Sequence, residues 1–279
     1  QRQMCIRDSI HTEDIGHTHT ENTKDIQLEI KNLQYENILH DIQFSVKKGE
    51  VLGIGGLQGQ GQTELMLALA GNYKTLHAEV YLNKEKIRLN TPANTIRKGI
   101  FLVPGDRQTE GLMMKESIYH NMLMPKFALK RHPFFIPEKK YRKECEEIVK
   151  LLSIKTDSID TKADNLSGGN QQKIVVGKWL PFDIKVLLLS DPAKGVDIGA
   201  KRDMYQFILK LAREKDISVI LYASDNDELV RYCDNVLIMY EGSVVKRLSG
   251  DAINNVNITA ASLNLTKEEE VEKDECKEH

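Results

Sequence analysis

Residues 50–70 constrain the fold more tightly than any other stretch of this chain. Glu50-Val51-Leu52-Gly53-Ile54 is an apolar run of strand length, Gly55 to Gly61 is a glycine-rich loop, and a helix is expected from about Thr63 to Ala70. A strand that ends in such a loop and passes straight into a helix is the β-to-α junction of an α/β sheet. Val186 to Leu189 and Ser218 to Leu221 are continuous apolar runs with a helix of about Lys201 to Lys215 between them. Unbroken runs of that length mark strands covered on both faces. Leu28, Ile30 and Leu33, then Ile42, Phe44 and Val46, alternate instead and read as half-buried antiparallel strands. Val80, Leu82, Ile87 and Leu89 suggest a small hairpin closed near Asn83-Lys84, and Val236 to Tyr240 with Gly242 to Val245 a closing one. Ile100 to Val103 is a short buried strand ending at Pro104-Gly105. The expected architecture is α/β: a mostly parallel core sheet, an antiparallel β subdomain and a helical subdomain.

The helical subdomain is expected over about 112–165, where Met-rich and basic segments replace the strand pattern and Glu138 to Leu152 has helical period. The folded domain is placed at 27–254. Residues 1–26 carry no apolar period and read as disordered. Within them Gln1 to Ser9 resembles translated sequencing-adapter read-through and is left out of the fold; if that start is artificial, the chain is a fragment of a longer one. His11, His17 and His19 are read as part of a solvated tail and not as metal ligands. The core is expected to end at Asn255, leaving 255–279 as a charged tail. Composition narrows the function classes. With 41% apolar and 29% charged residues the chain is of the soluble globular type. A net charge of -2 offers no general attraction to nucleic acid or acidic lipid. Cys5, Cys145, Cys233 and Cys276 are widely spaced, which points to reduced thiols. No apolar run approaches the length of a membrane span.

Three stretches carry chemistry. Gly56-Leu57-Gln58-Gly59-Gln60-Gly61-Gln62-Thr63 matches the phosphate-loop pattern G-x-x-x-x-G-K-[ST] at every position but the lysine, which is Gln62. Gly56, Gly59 and Gly61 let backbone N–H groups cradle phosphates, and Thr63, followed by Glu64, is placed to ligate Mg²⁺. Gln62 keeps a hydrogen-bond donor but loses a full positive charge, a contact worth on the order of 4 kcal/mol near a protein surface before desolvation. The pocket is therefore expected to bind nucleotide weakly or to catalyse poorly. The second stretch is Ser167-Gly168-Gly169, opening into the helix-like Ile174 to Leu180. First-turn N–H groups and the helix dipole favour a phosphate oxygen there, and the Ser167 hydroxyl donates as well. The third is Val186 to Pro192, a buried strand that delivers Asp191 at its C-terminal end.

Asn165-Leu166-Ser167-Gly168-Gly169-Asn170-Gln171-Gln172-Lys173 resembles the signature motif of ABC-transporter ATPases. Its Asn-Gln-Gln-Lys ending resembles the second nucleotide-binding domain of sugar-importer ATPases. The resemblance spans roughly Leu28 to Gly250 and implies the P-loop NTPase (ABC ATPase) fold. On it, Val186 to Pro192 is similar to a Walker B strand, where one carboxylate holds Mg²⁺ and the next polarises water. Aligned on Pro192, the family's metal-holding Asp falls on Ser190 and its catalytic Glu on Asp191. The other register makes Asp191 the metal acid and leaves no base. Gly105 falls on the Q-loop Gln, and Ser224 on the switch His. Gly195 to Lys201 fits the D-loop region, with Asp197 at a dimer seam or simply capping the helix that begins near Gly199. Tyr35 lies where an A-loop aromatic stacks on adenine, or it packs at a strand edge.

The resemblance implies ATP and Mg²⁺ as cofactors. It also implies a head-to-tail pair of domains, each ATP lying between the phosphate loop of one and the signature helix of the other. Ser167, Gly168, Gly169 and Gln171 then complete a partner's competent site, and the chain's own loop forms a degenerate one. The implied partners are a second nucleotide-binding domain (a fused N-terminal half or a homologous copy), membrane permease subunits and, indirectly, a substrate-binding protein. Nucleic acid is not among them. Met113, Met114, Met122 and Met124 either face a permease helix or pack internally. The implied location is peripheral, on the cytoplasmic face of the cell membrane. The alternative is a non-hydrolytic nucleotide-binding regulatory domain of such an assembly.

Overall fold

The computed structural model describes residues 24–74, 76–129 and 137–264. Cys5, Cys276 and the N-terminal histidines lie outside the described residues. In chain order the first half holds β1 (Ile26–Tyr35), β2 (Leu39–Lys47), β3 (Val51–Gly55), α1 (Gln62–Leu69), β4 (His77–Leu82), β5 (Glu85–Ile87), α2 (Pro92–Lys98), β6 (Ile100–Val103) and α3 (Ile118–Leu129). The second half holds α4 (Glu138–Leu151), α5 (Gly168–Gly177), β7 (Val186–Ser190), α6 (Ile198–Lys215), β8 (Ser218–Tyr222), α7 (Asn226–Tyr232), β9 (Asn235–Tyr240), β10 (Ser243–Ser249) and α8 (Asn255–Ser262).

Two sheets result. One is antiparallel in the order β2-β1-β4-β5; the other runs β10-β9-β3-β8-β7-β6. The second is parallel from β9 to β6, with β10 added antiparallel at its edge. Its unbroken apolar runs are buried on both faces for a visible reason. Leu187 and Leu189 of β7 enter a core shared with the helices, while Val186 and Leu188 enter a core shared with the antiparallel sheet and α1. Val219 and Leu221 of β8 divide from Ile220 and Tyr222 in the same way. A period of two thus gives each strand two apolar faces.

The alternating strands behave as their pattern requires. Leu28, Ile30 and Leu33 are all buried although the last step is three residues. A register shift between Ile30 and Leu33, with Asn32 at φ 50°, restores the inward face. Asn83 and Lys84, at φ 51° and 69°, close the β4–β5 hairpin with the positive-φ pair that a tight two-residue turn needs. In the helical region α3 and α4 pack on the C-terminal end of α5. A Cβ on Gly177 would lie 2.8 Å from Leu152 Cδ1 and 3.2 Å from Met122 Cε, so a glycine permits the approach.

One expectation changes. The chain does not leave the core at Asn255: α8, capped by Asn254 accepting from Asn257 N–H at 2.9 Å, buries Ile258 and Ala261. Of the methionines, Met122 packs internally, 3% exposed and beside Cys145, whereas Met124 is 44% exposed.

Candidate functional site

The loop after β3 is closed tightly. Gly56, Gly59 and Gly61 have φ of 132°, 85° and 100°, and a Cβ on Gly56 would lie 2.4 Å from Met239 O. Only glycine allows that approach. The first α1 bond runs from Leu65 N–H to Gly61 O at 2.8 Å, which leaves the N–H groups of Gln62, Thr63 and Glu64 without intrahelical acceptors. Thr63 is exposed and Glu64 half-buried. Gln62 turns inward and is 1% exposed. Its Nε2 donates to Leu57 O at 2.9 Å and its Oε1 accepts Gln60 N–H at 3.0 Å. The β9–β10 turn braces the loop, Gly242 N–H donating to Gln60 O at 3.1 Å and Glu241 N–H to Gln60 Oε1 at 2.5 Å. Tyr35, ending β1, stacks on Tyr73 with ring centroids 3.9 Å apart and planes 8° from parallel.

The N-terminal end of α5 is built differently. Ser167 is its N-cap, exposed, with no side-chain cap bond; its hydroxyl oxygen accepts Asn170 Nδ2–H at 3.0 Å. The first helical bond is Gln171 N–H to Ser167 O at 2.9 Å. The N–H groups of Gly168, Gly169 and Asn170 therefore have no intrahelical acceptor. Gln171, by contrast, faces inward. It is 5% exposed, and its Nε2 donates to Ala163 O and Leu166 O, both at 3.0 Å.

Arg107 is a residue the sequence reading did not single out. Its Nε donates to Gln171 Oε1 at 3.1 Å, and its terminal nitrogens donate to Lys194 O at 2.9 Å and Gly195 O at 3.3 Å. A Cβ on Gly168 would lie 2.6 Å from that guanidinium, and one on Gly169 would lie 2.5 Å from Ala200 Cβ in α6. Gly169 is thus held small by packing, while at Gly168 the near atom is the movable end of the Arg107 side chain, with Gly195 O next at 3.2 Å. Asp197 caps α6, its Oδ1 accepting Ala200 N–H at 2.9 Å, and it lies at the same helix end, 3.7 Å from the Gly169 Cβ position. Two residues past Gly105, Arg107 carries no local mark of partners so far along the chain.

β7 ends at Ser190, paired with Tyr222 of β8. Asp191 follows at φ 49°, its N–H donating to Tyr222 O at 2.7 Å and its carboxylate accepting Ser224 N–H at 3.4 Å. Gly105 presses on this turn: a Cβ there would lie 2.8 Å from Ser190 O. Behind it Glu228 is buried, accepting from the Tyr205 hydroxyl and pairing with Lys201. Burial raises the Glu228 carboxyl against the pull of those two bonds. Among the described residues no group of three or more His, Cys, Asp or Glu is placed to hold a metal ion. No hydrogen bond among the described residues joins the Gly56–Thr63 loop to the Ser167–Gln171 turn.

A strand-loop-helix phosphate loop, an open Ser-Gly-Gly helix end and an acid after a central strand thus stand on one mostly parallel sheet. The family model for ABC transporters matches residues 39–194. The chain belongs to the ABC transporter family. It is 38% identical over 240 residues to ribose import ATP-binding protein RbsA 1 of Rhizobium johnstonii, a match covering 85% of this chain and 47% of that protein. The chain spans about half the length of the curated relatives it matches. Among solved structures it resembles the ADP conformation of MJ1267, an ATP-binding cassette of an ABC transporter, with a TM-score of 0.74 and 24% identity over 86% of this chain and 98% of that one. It also resembles the dimeric post-hydrolysis state of the cassette MJ0796 bound to ADP and Pi, with a TM-score of 0.67 and 19% identity over 80% and 98% of the two chains. These likenesses show the ABC cassette fold, and the α/β architecture expected from the strand pattern is the one found.

Proposed function

We propose that this ABC domain is the ATP-binding half of a sugar importer, and that it works in a pair of cassettes as the donor of a signature helix. The observation that carries this is an asymmetry between its two phosphate-binding elements. At α5 the N–H groups of Gly168, Gly169 and Asn170 have no helical partners to give up, and the Ser167 hydroxyl, whose oxygen accepts from Asn170, keeps its own proton to donate. In the Gly56–Thr63 loop the N–H groups of Gln62, Thr63 and Glu64 are likewise open, but that of Gln60 is already bonded to Gln62 and the lysine is absent. The sugar follows from the relatives' names, ribose import among them, and the pairing is supported by the dimeric cassette with ADP and Pi.

Bound ATP supplies the γ-phosphoryl group and Mg²⁺ the charge that offsets its transfer to water. This chain's residues bind and orient. The Ser167 hydroxyl and the three N–H groups donate to phosphate oxygens of a nucleotide held on the partner's loop, with the α5 dipole adding to the attraction. Gln171 and Arg107 hold that helix end against the segment leading to Asp197, which sits at the seam. In the chain's own pocket the residues left to hold Mg²⁺ are Thr63 and Asp191, since Ser190 brings no charge. A loop hydroxyl and one carboxylate are donors that would hold the metal together with a nucleotide's phosphates, and what the pocket then lacks is a second acid to polarise water. The helical region meets the permease, with Met124 as its exposed apolar contact. Among the described residues no helix is long and apolar enough to cross a membrane. On this reading the domain works on the cytoplasmic face, held there by the permease.

ATPase assays test the reading with the chain alone and mixed with a cassette that carries an intact phosphate-loop lysine and catalytic Glu. Turnover is expected only in the mixture, and Ser167→Arg in this chain abolishes it. Vigorous turnover by the chain alone, or a mixture indifferent to Ser167→Arg, overturns it.

A further inference from the structure

We propose that Gln62 and Tyr73 exclude ATP from this chain's own pocket by filling, with side chains, the two places a nucleotide would take. The inference rests on the reading of Tyr35 and Gly56–Thr63 as an ATP pocket and gives a reason for that pocket to bind ATP poorly.

A phosphate would sit among the loop's backbone N–H groups as a hydrogen-bond acceptor. Gln62 Oε1 already takes one of those donors, Gln60 N–H at 3.0 Å, while Nε2 of the same amide donates to Leu57 O at 2.9 Å. A lysine cannot do this, because an ammonium has three donors and no acceptor. Replacing lysine by glutamine therefore does more than delete a charge. It places a neutral acceptor inside the cradle. Nor can the loop readily shift aside, since Gln60 is tied to the β9–β10 turn through both its carbonyl and its side chain.

The base position is filled in the same way. An adenine would lie flat on the Tyr35 ring, and the ring there now is Tyr73, parallel within 8° at 3.9 Å. Tyr73 comes from the segment just past α1, and its phenol is raised by burial first and then by the Glu64 carboxylate of the first α1 turn. Tyr73 thus covers one face of the Tyr35 ring, the kind of surface on which a base would stack.

Titration of the full chain with Mg-ATP, followed by calorimetry and by displacement of a fluorescent ATP analogue, tests this. Gln62→Ala removes the internal acceptor without adding charge, Tyr73→Ser uncovers Tyr35, and Tyr73→Leu serves if the serine variant folds poorly. The wild type is expected to bind with Kd above about 1 mM, and the double variant at least about tenfold more tightly. Adding Tyr35→Ala to the double variant should remove the gain, which locates it at this pocket. If Gln62→Lys gains affinity but the double variant does not, the pocket is a nucleotide site short only of charge, and the self-filling proposal fails while the pocket reading stands. If Gln62→Lys/Tyr73→Ser also fails to bind, the pocket reading falls and takes the proposal with it.

Discussion

Gly169→Ala tests how the signature helix is joined to the segment that carries Asp197. The added Cβ would lie 2.5 Å from Ala200 Cβ, with Asp197 Oδ2 and Val196 Cγ1 next at 3.7 Å. Carbon atoms rest about 3.5–4.0 Å apart, so α5 and the first turn of α6 must separate by roughly 1 Å. Overpacking on that scale costs about 1–3 kcal/mol. Gly169 is helical and has no positive φ, so alanine brings no backbone strain and recovers up to about 1 kcal/mol of helix propensity. The net loss expected is about 1–2 kcal/mol. Ala200→Gly removes the obstructing methyl and leaves only the ordinary 3.7 Å contacts. In that background Gly169→Ala should be neutral or slightly stabilising. Urea unfolding of the four proteins gives the coupling directly, and it should be at least about 1 kcal/mol in the direction of rescue. Slopes must be unchanged, so that midpoints report stability and not a different unfolded state. An equal cost for Gly169→Ala in both backgrounds would refute the close contact. Packing would then not be what keeps residue 169 a glycine.

Two further outcomes follow from buried or bridging cations. Lys178, whose Nζ donates to Gly111 O at 2.6 Å, has its pKa pushed down to about 8 by burial. Below pH 8 the ammonium is charged in both states and the folded one bears the desolvation cost. Between about pH 8 and 10.4 the unfolded chain holds the proton that the folded chain has released, so stability rises with pH across that window. Against Lys178→Met, the wild type should gain up to roughly 3 kcal/mol from pH 7 to 10.5 in urea unfolding, and a flat difference contradicts the burial. Arg107→Ala removes three hydrogen bonds at a partly exposed site and should cost about 2 kcal/mol in the same assay. Arg107→Lys should recover little, since an ammonium cannot span acceptors on Gln171, Lys194 and Gly195 together. Full recovery by lysine would reduce Arg107 to a simple charge.

Much of the fold was legible because its causes are local. The continuous runs of β7 and β8, the alternation in β1 and β2, the Asn83-Lys84 turn and the Asp197 cap each depend on residues within a few positions of one another. α8 was missed for the same reason. Asn255 to Ser262 is short and half polar, and its inward apolar residues, Ile258 and Ala261, are too few to show a period until β9 and α7 lie beside them.

The candidate site divides along the same line. The amino-acid sequence alone determined which residue types stand at the loop, the signature helix and the end of β7, and that the loop lacks its lysine. Where those side chains turn was decided by the tertiary structure. Gln62 folds into its own loop because the β9–β10 turn, arriving from residues 240–243, fixes Gln60 beneath it. Tyr35 finds Tyr73, and Arg107 finds carbonyls at 194 and 195, only once strands remote in sequence share a sheet. Hydrogen bonds and ring stacks depend on placement to within a fraction of an ångström. No spacing along the chain encodes that for segments brought together by folding.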